Sequence, residues 1–182
     1  PPHEINYRAN IWALQSVGVT KIISVATVGA IDEAVKPGTI CIPSQIIDYT
    51  YGRKNTYFDG AEMPVKHIDF TYPYDESLRK QIITSAQTLL KTVVTEGVYA
   101  AVQGPRLETA AEINRLEKDG ANIVGMTGMP EAALAKELNI AYAAICPMVN
   151  HAAGRGQSKA RQAHGRSVLF TAGLGAGKIS RP

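Results

Sequence analysis

The hydrophobic pattern alternates between short β-branched runs and helical stripes. Ile5, Ala9, Trp12, Ala13 and Val17 share one stripe at helical spacing and Gly18 ends it, which predicts a helix packed on a core. Residues 21–31 (KIISVATVGAI) predict a buried strand that turns at Gly29. Pro37-Gly38 marks a turn, and 39–49 (TICIPSQIIDY) predicts a second strand. Residues 50–74, rich in Tyr, Gly and Asp, predict a long loop. Asp75 is placed to cap a helix with apolar positions Leu78, Ile82, Ala86, Leu89 and Leu90. A third strand, 97–103, is cut off by Gly104-Pro105. Thr109 and Glu112 have capping-box spacing for a helix running to Lys118. A short strand at 122–126, a helix at 129–138 that takes Pro130 in its first turn, and an apolar strand at 140–149 follow. This alternation predicts an α/β fold, with a mixed, mainly parallel twisted sheet flanked by helices.

Composition sharpens the boundaries. The 182 residues are 45% hydrophobic and 19% charged, which excludes whole-chain disorder. No apolar run approaches the roughly 20 residues a membrane helix needs. No charged-then-apolar leader opens the chain, so no signal peptide is visible. The net charge of +3 is unevenly spread: residues 153–182 hold six basic and no acidic residues, leaving 13 basic against 16 acidic in 1–152. A nucleic-acid function read from the overall charge would be an error of averaging. The expected organisation is a domain over 1–153 and a basic, Gly/Ala/Arg-rich, poorly ordered tail over 154–182. That tail has one aromatic, Phe170, and no stacking platform, so specific nucleic-acid binding is not expected. Its GLGAGKIS stretch (173–180) lacks phosphate-loop spacing and has Ile179 where Ser or Thr would hold magnesium. Cys41 and Cys146 both lie in apolar runs, as expected of buried thiols in a reducing cytoplasm, and make neither a disulfide framework nor a zinc site.

In such sheets ligands collect outside the carboxyl ends of the strands. That rule selects residues 26–29 (ATVG), 103–106 (QGPR), 125–128 (GMTG) and 149–151 (VNH). Thr27 and Gly29 offer a hydroxyl and a backbone N–H to an anion, and Thr127 stands just before a helix N-terminus. Taken alone each is weak, because a Thr-Gly at a strand end is often only a turn.

Several of these segments carry a family resemblance. NYRANIWAL (6–14), the ATVGAI turn, residues 37–60, QGPRLETAAE (103–112) and GMTGMPEAALAKEL (125–138) resemble the methylthioadenosine phosphorylases, a branch of the trimeric purine nucleoside phosphorylases. The likeness runs from about residue 2 to 154 and is nearest to the S-methyl-5′-thioinosine phosphorylase branch. It implies a cytoplasmic pentosyltransferase of purine salvage, working as a homotrimer. S-methyl-5′-thioinosine and phosphate would give hypoxanthine and 5-methylthioribose 1-phosphate. No metal or organic cofactor is implied; inorganic phosphate is the co-substrate. Two alternatives stay open: a general 6-oxopurine nucleoside phosphorylase, and a non-catalytic purine-binding remnant.

The resemblance also assigns residues. Ala26, Thr27 and Thr127 match phosphate contacts, although relatives often carry Thr before Ala at the first turn. Met126 matches the methionine under the ribose, and Leu107 stands where relatives often set Phe against the purine. His67 matches a histidine lent to the neighbouring subunit's 5′-group. Asn150 is the expected catalytic residue: with Ala152, it stands where adenine-specific relatives carry two Asp. An amide offers an acceptor and two donors, so its oxygen suits a protonated N7 and its NH₂ suits O6 of a 6-oxopurine. The family's Gly-rich phosphate loop, its Arg-His-Gly stretch and its terminal helix are missing from these residues. The fold is therefore expected to be incomplete at both ends, and the chain alone weakly active or inactive.

Overall fold

The computed structural model describes residues 1–61 and 63–156. A 3₁₀ turn (Pro2–Glu4) leads into α1 (Tyr7–Ser16), followed by β1 (Lys21–Val25), β2 (Val28–Ala30), β3 (Ile40–Cys41) and β4 (Gln45–Asp48). After a long loop come α2 (Glu76–Leu89), β5 (Val93–Val94), β6 (Val98–Ala101), α3 (Ala110–Lys118), β7 (Ile123–Gly125), α4 (Gly128–Glu137) and β8 (Ala141–His151). The rest of the predicted tail, with GLGAGKIS, lies outside the described residues.

The eight strands form one sheet in the order β4-β6-β7-β2-β8-β3-β5, with β1 also on β8. Five of the seven pairings are parallel; β2–β7 and β3–β8 are antiparallel. Helices cover both faces. Tyr142, Ala144, Cys146 and Met148 of β8 join Tyr99 of β6 in the core under α1 and α4. Ala143 turns the other way onto Leu78 and Ile82 of α2, and Ala100 and Val124 face Ile113 and Leu116 of α3. The period-two alternation of strands thus divides the core between two helical layers. Among the described residues no helix is long and apolar enough to cross a membrane.

Three predicted elements differ. The strand expected over 21–31 breaks at Ala26-Thr27 into β1 and β2, and β1 is not buried: Ile23 and Val25 are 51% and 69% exposed. The strand expected over 39–49 is interrupted at Pro43, which cannot donate to a ladder. The helix at 7–16 forms, but it buries Tyr7 and Ile11, while Trp12 and Val17 of the predicted stripe are 45% and 77% exposed. Residues 154–156, grouped with the tail on composition, pack on the domain. Arg155, 6% exposed as a residue, donates from its guanidinium to Asn114 Oδ1 at 2.9 Å and to Glu117 Oε2 at 2.7 Å on α3.

The caps form as read. Asp75 accepts from the Leu78 amide at 2.7 Å. Thr109 Oγ1 accepts from the Glu112 amide at 3.1 Å, and Glu112 Oε2 accepts from the Thr109 amide at 2.7 Å. The Arg106 guanidinium, and next the Thr109 amide, hold the Glu112 carboxyl down at about 2. Thr109→Ala is expected to lower the unfolding free energy by about 1 kcal/mol, the usual worth of a cap. Urea unfolding checks it; an unchanged midpoint would show that the box contributes nothing.

Candidate active site

The Ala26-Thr27 turn before β2 and the Met126-Thr127 turn after β7 lie at the same end of the antiparallel β2–β7 pair, and Asn150 of β8 is level with Gly29 and Val124. The first turn is the Ala26-Thr27 break. The Ala26 amide donates to the Ile145 carbonyl at 3.1 Å, the last rung of β1 on β8. The chain then leaves β8's side for one residue, which leaves Thr27 exposed, and rejoins it as β2.

The second turn joins β7 to α4. Met126 and Thr127 are half-buried there. Thr127 is the N-cap of α4, but its hydroxyl makes no capping hydrogen bond. Met129 has extended dihedrals (φ −122°, ψ 140°), so regular helix begins only at Pro130. Backbone N–H groups of such a start face outward with the positive end of the helix dipole. Beneath them lies Tyr99, 1% exposed, with its hydroxyl against the Thr127-Gly128 turn. Met126 lies against Gly104, whose positive φ (62°) turns the chain after β6: a Cβ there would stand 2.5 Å from Met126 Sδ.

Asn150 lies inside β8, one residue from its end. Val28 pairs with Met148, but Gly29 pairs with Asn150, so Val149 is an extra residue bulged out of the β2–β8 ladder. One inserted residue moves everything after it to the other face. Without the bulge Asn150 would follow Met148 into the α1/α4 core. With it, the amide lies over Gly29 on the α3 side: a Cβ on Gly29 would be 3.4 Å from Asn150 Nδ2 and 3.3 Å from Val124 Cγ1. Asn150 is half-buried, and its Nδ2 donates to the His151 carbonyl at 2.7 Å. Only an NH₂ can donate there, so the amide's orientation follows. One N–H and the Oδ1 remain for other partners. Ala152 is 2% exposed and packs with the α3 core.

The other expected residues are more peripheral. Leu107 is 59% exposed after the Gly104-Pro105 turn. His67 is exposed in the long loop. Two cavities flank the turns. One of about 320 Å³ opens between β4, β6 and α3 and is lined by Tyr49, Tyr51, Gln103, Gly104, Arg106 and Glu108, among others. A larger cleft of about 820 Å³ lies against α1 and the loop at 52–63. Thr27, Met126, Thr127 and Asn150 line neither.

Two residues were not singled out from sequence. Glu108 is half-buried at the smaller cavity, and burial, with help from neighbouring Glu112, pushes its carboxyl up against the pull of its own backbone amide and Arg106. Arg53, from the loop after β4, reaches under the β6 and β7 ends and donates to the carbonyls of Gln103 (3.0 Å) and Met126 (2.7 Å). Among the described residues no cluster of His, Cys, Asp and Glu could hold a metal ion.

The chain belongs to the phosphorylase superfamily, whose profile matches residues 1–176. It is 52% identical over 155 residues to a probable S-methyl-5′-thioinosine phosphorylase of Pseudomonas syringae pv. tomato, covering 85% of this chain and 63% of that protein. It is 47% identical over 164 residues to the 6-oxopurine nucleoside phosphorylase of Pyrococcus furiosus, covering 87% of this chain and 62% of that one. Among solved structures, methylthioadenosine phosphorylase of Schistosoma mansoni in complex with adenine is similar with a TM-score of 0.77 and 33% identity, over 81% of this chain and 60% of that one. The chain thus spans somewhat less than two thirds of the length of these relatives.

Proposed function

We propose that this chain belongs to an enzyme that cleaves a 6-oxopurine nucleoside with inorganic phosphate, S-methyl-5′-thioinosine being the favoured substrate. A phosphate oxygen bonds to C1′ as the C1′–N9 bond breaks. The electron pair leaves with the purine; the hydrogen phosphate gives up its proton through solvent and N7 takes one, so the products are neutral hypoxanthine and the phosphate ester dianion. Phosphate is already an anion, so the protein needs no side-chain nucleophile; it must orient the anion and stabilise the charge leaving with the base. Thr27, the Ala26 backbone and Thr127 are assigned to phosphate, Met126 to the ribose, and Leu107 to the purine face. His67 is assigned to the 5′-group of a neighbouring subunit in a homotrimer. The reaction is assigned no metal or organic cofactor, and the enzyme is assigned to the cytoplasm.

Asn150 carries the reading. Its Oδ1 suits the N7 proton, and the N–H not used on His151 suits O6. The test is release of hypoxanthine from S-methyl-5′-thioinosine with and without phosphate. Release that requires phosphate is expected; hypoxanthine binding without turnover would leave a purine-binding remnant instead. The likeness to the Pyrococcus furiosus enzyme favours a second reading, a general 6-oxopurine phosphorylase, which inosine cleaved as fast as methylthioinosine would support.

A further inference from the structure

The Arg53 side chain is half-buried in a loop that otherwise reads as a surface connection, yet it carries the densest hydrogen-bond set in the structure's strand-end region. Nη1 donates to the carbonyls of Met126 at 2.7 Å and Met129 at 2.6 Å and approaches the Tyr7 hydroxyl at 3.3 Å. Nη2 donates to the carbonyls of Gln103 at 3.0 Å and Val102 at 3.3 Å. Nε donates to Gln103 Oε1 at 3.3 Å, and that same oxygen accepts from the Tyr51 amide at 3.1 Å. The guanidinium also lies 5.5 Å over the Tyr7 ring. All five N–H donors of the fork are occupied, by partners from α1, the end of β6 and the β7–α4 turn.

These acceptors are not arbitrary. A peptide unit is planar, so holding its oxygen also sets the direction of the N–H on the next residue. The Met126 carbonyl shares its peptide with the Thr127 N–H, and the Gln103 carbonyl shares its peptide with the Gly104 N–H. Gly104 is the residue against which Met126 rests. One planar cation therefore sets two peptide planes on adjacent strand ends relative to each other. We infer that Arg53 is a positioning residue, which fixes the Thr127 turn and the Met126–Gly104 contact from behind without touching substrate. This inference rests on the proposed reaction only for which ligands feel the change.

A lysine fills the same stem but ends in a compact ammonium, which cannot span both carbonyl pairs in one plane. Arg53→Lys is therefore the discriminating variant, studied in the full chain by two measurements. Hydrogen exchange should speed up at least tenfold at 103–104 and 126–129 while α2 stays unchanged. In phosphorolysis, KM for phosphate should rise at least tenfold with a smaller fall in kcat. Lower kcat at unchanged KM, or exchange that rises uniformly, means a general loss of folded protein and overturns the inference. Should Arg53→Lys fail to fold, Gln103→Met removes the Oε1 shared by Arg53 Nε and the Tyr51 amide and leaves the Gln103 carbonyl in place; KM for phosphate is then expected to rise a few-fold, and an unchanged KM overturns the inference. If the full-length enzyme that contains this chain shows no phosphate-dependent cleavage, the proposed reaction fails, and local exchange alone decides on Arg53.

Discussion

Gly125→Ala is expected to cost about 3 kcal/mol of stability, the upper part of the usual range for an overpacked core, and to remove phosphate-dependent turnover with it. Gly125 closes β7, two residues before Thr127. A Cβ there would collide with the Tyr99 hydroxyl, stand 2.7 Å from Tyr99 Cζ and 3.1 Å from Val28 Cγ1. Neither neighbour can yield. Tyr99 and Val28 are 1% and 2% exposed, and the Tyr99 ring also lies 3.0 Å from where a Cβ on Gly128 would be. The relief left to the chain is to push the β7 end outward, and that moves the Thr127 turn. Urea unfolding should show a lower midpoint with an unchanged slope. Tyr99→Phe removes the nearest atom but leaves Cζ, so the double variant should recover part of the loss and reveal coupling between the two sites. A Gly125→Ala protein within about 0.5 kcal/mol of the parent would show that the turn is looser than these contacts imply, since that is the ordinary scatter of a harmless substitution.

What could be read from sequence follows the range over which each signal acts. The Thr109–Glu112 box and the Asp75 cap are written within four residues, and both form. The α1 stripe was legible as a helix, but its buried side was not. Ile5, Trp12 and Val17 outnumber Tyr7 and Ile11 in hydrophobic weight, yet Tyr7 and Ile11 meet α4 and the sheet. Periodicity supplies a stripe and leaves its partner unnamed. The two-residue strand β5 is too short to show any period. The Val149 bulge leaves no trace in an apolar run, because a run buried on both sides does not alternate, so an added residue breaks no visible pattern. The position of Asn150 was therefore readable as a strand end, while the face it occupies was not. Arg53 lies at the far limit: its partners are 46 to 76 residues away along the chain, and nothing beside it in YGRKNTYFDG indicates them.

Asn150→Asp is expected to lower the preference for 6-oxopurine over 6-aminopurine nucleosides by about 100-fold, and it tests the role given to the bulge. At neutral pH a carboxylate only accepts. It can take the N7 proton and a hydrogen from a 6-amino group, but toward O6 it sets acceptor against acceptor. Mismatches of this kind cost about 1–3 kcal/mol, and the substitution removes one from the amino substrate while creating one for the oxo substrate. The structure adds a second consequence. Where Nδ2 now donates to the His151 carbonyl at 2.7 Å, the variant would hold a carboxylate oxygen against a carbonyl oxygen. That repulsion disfavours the ionised form, so the folded-state pKa of the new carboxyl rises above its unfolded value. The protonated acid can donate as the amide did. Stability relative to the parent should accordingly be regained as pH falls through the folded pKa and lost as pH rises. Activity on methylthioinosine should follow the same direction, while activity on methylthioadenosine should follow the opposite one. The measurement is the ratio of kcat/KM for the two nucleosides across pH 5 to 8. A ratio that neither drops nor titrates would place the amide away from the departing base, and the discrimination would then lie with other residues of the strand ends.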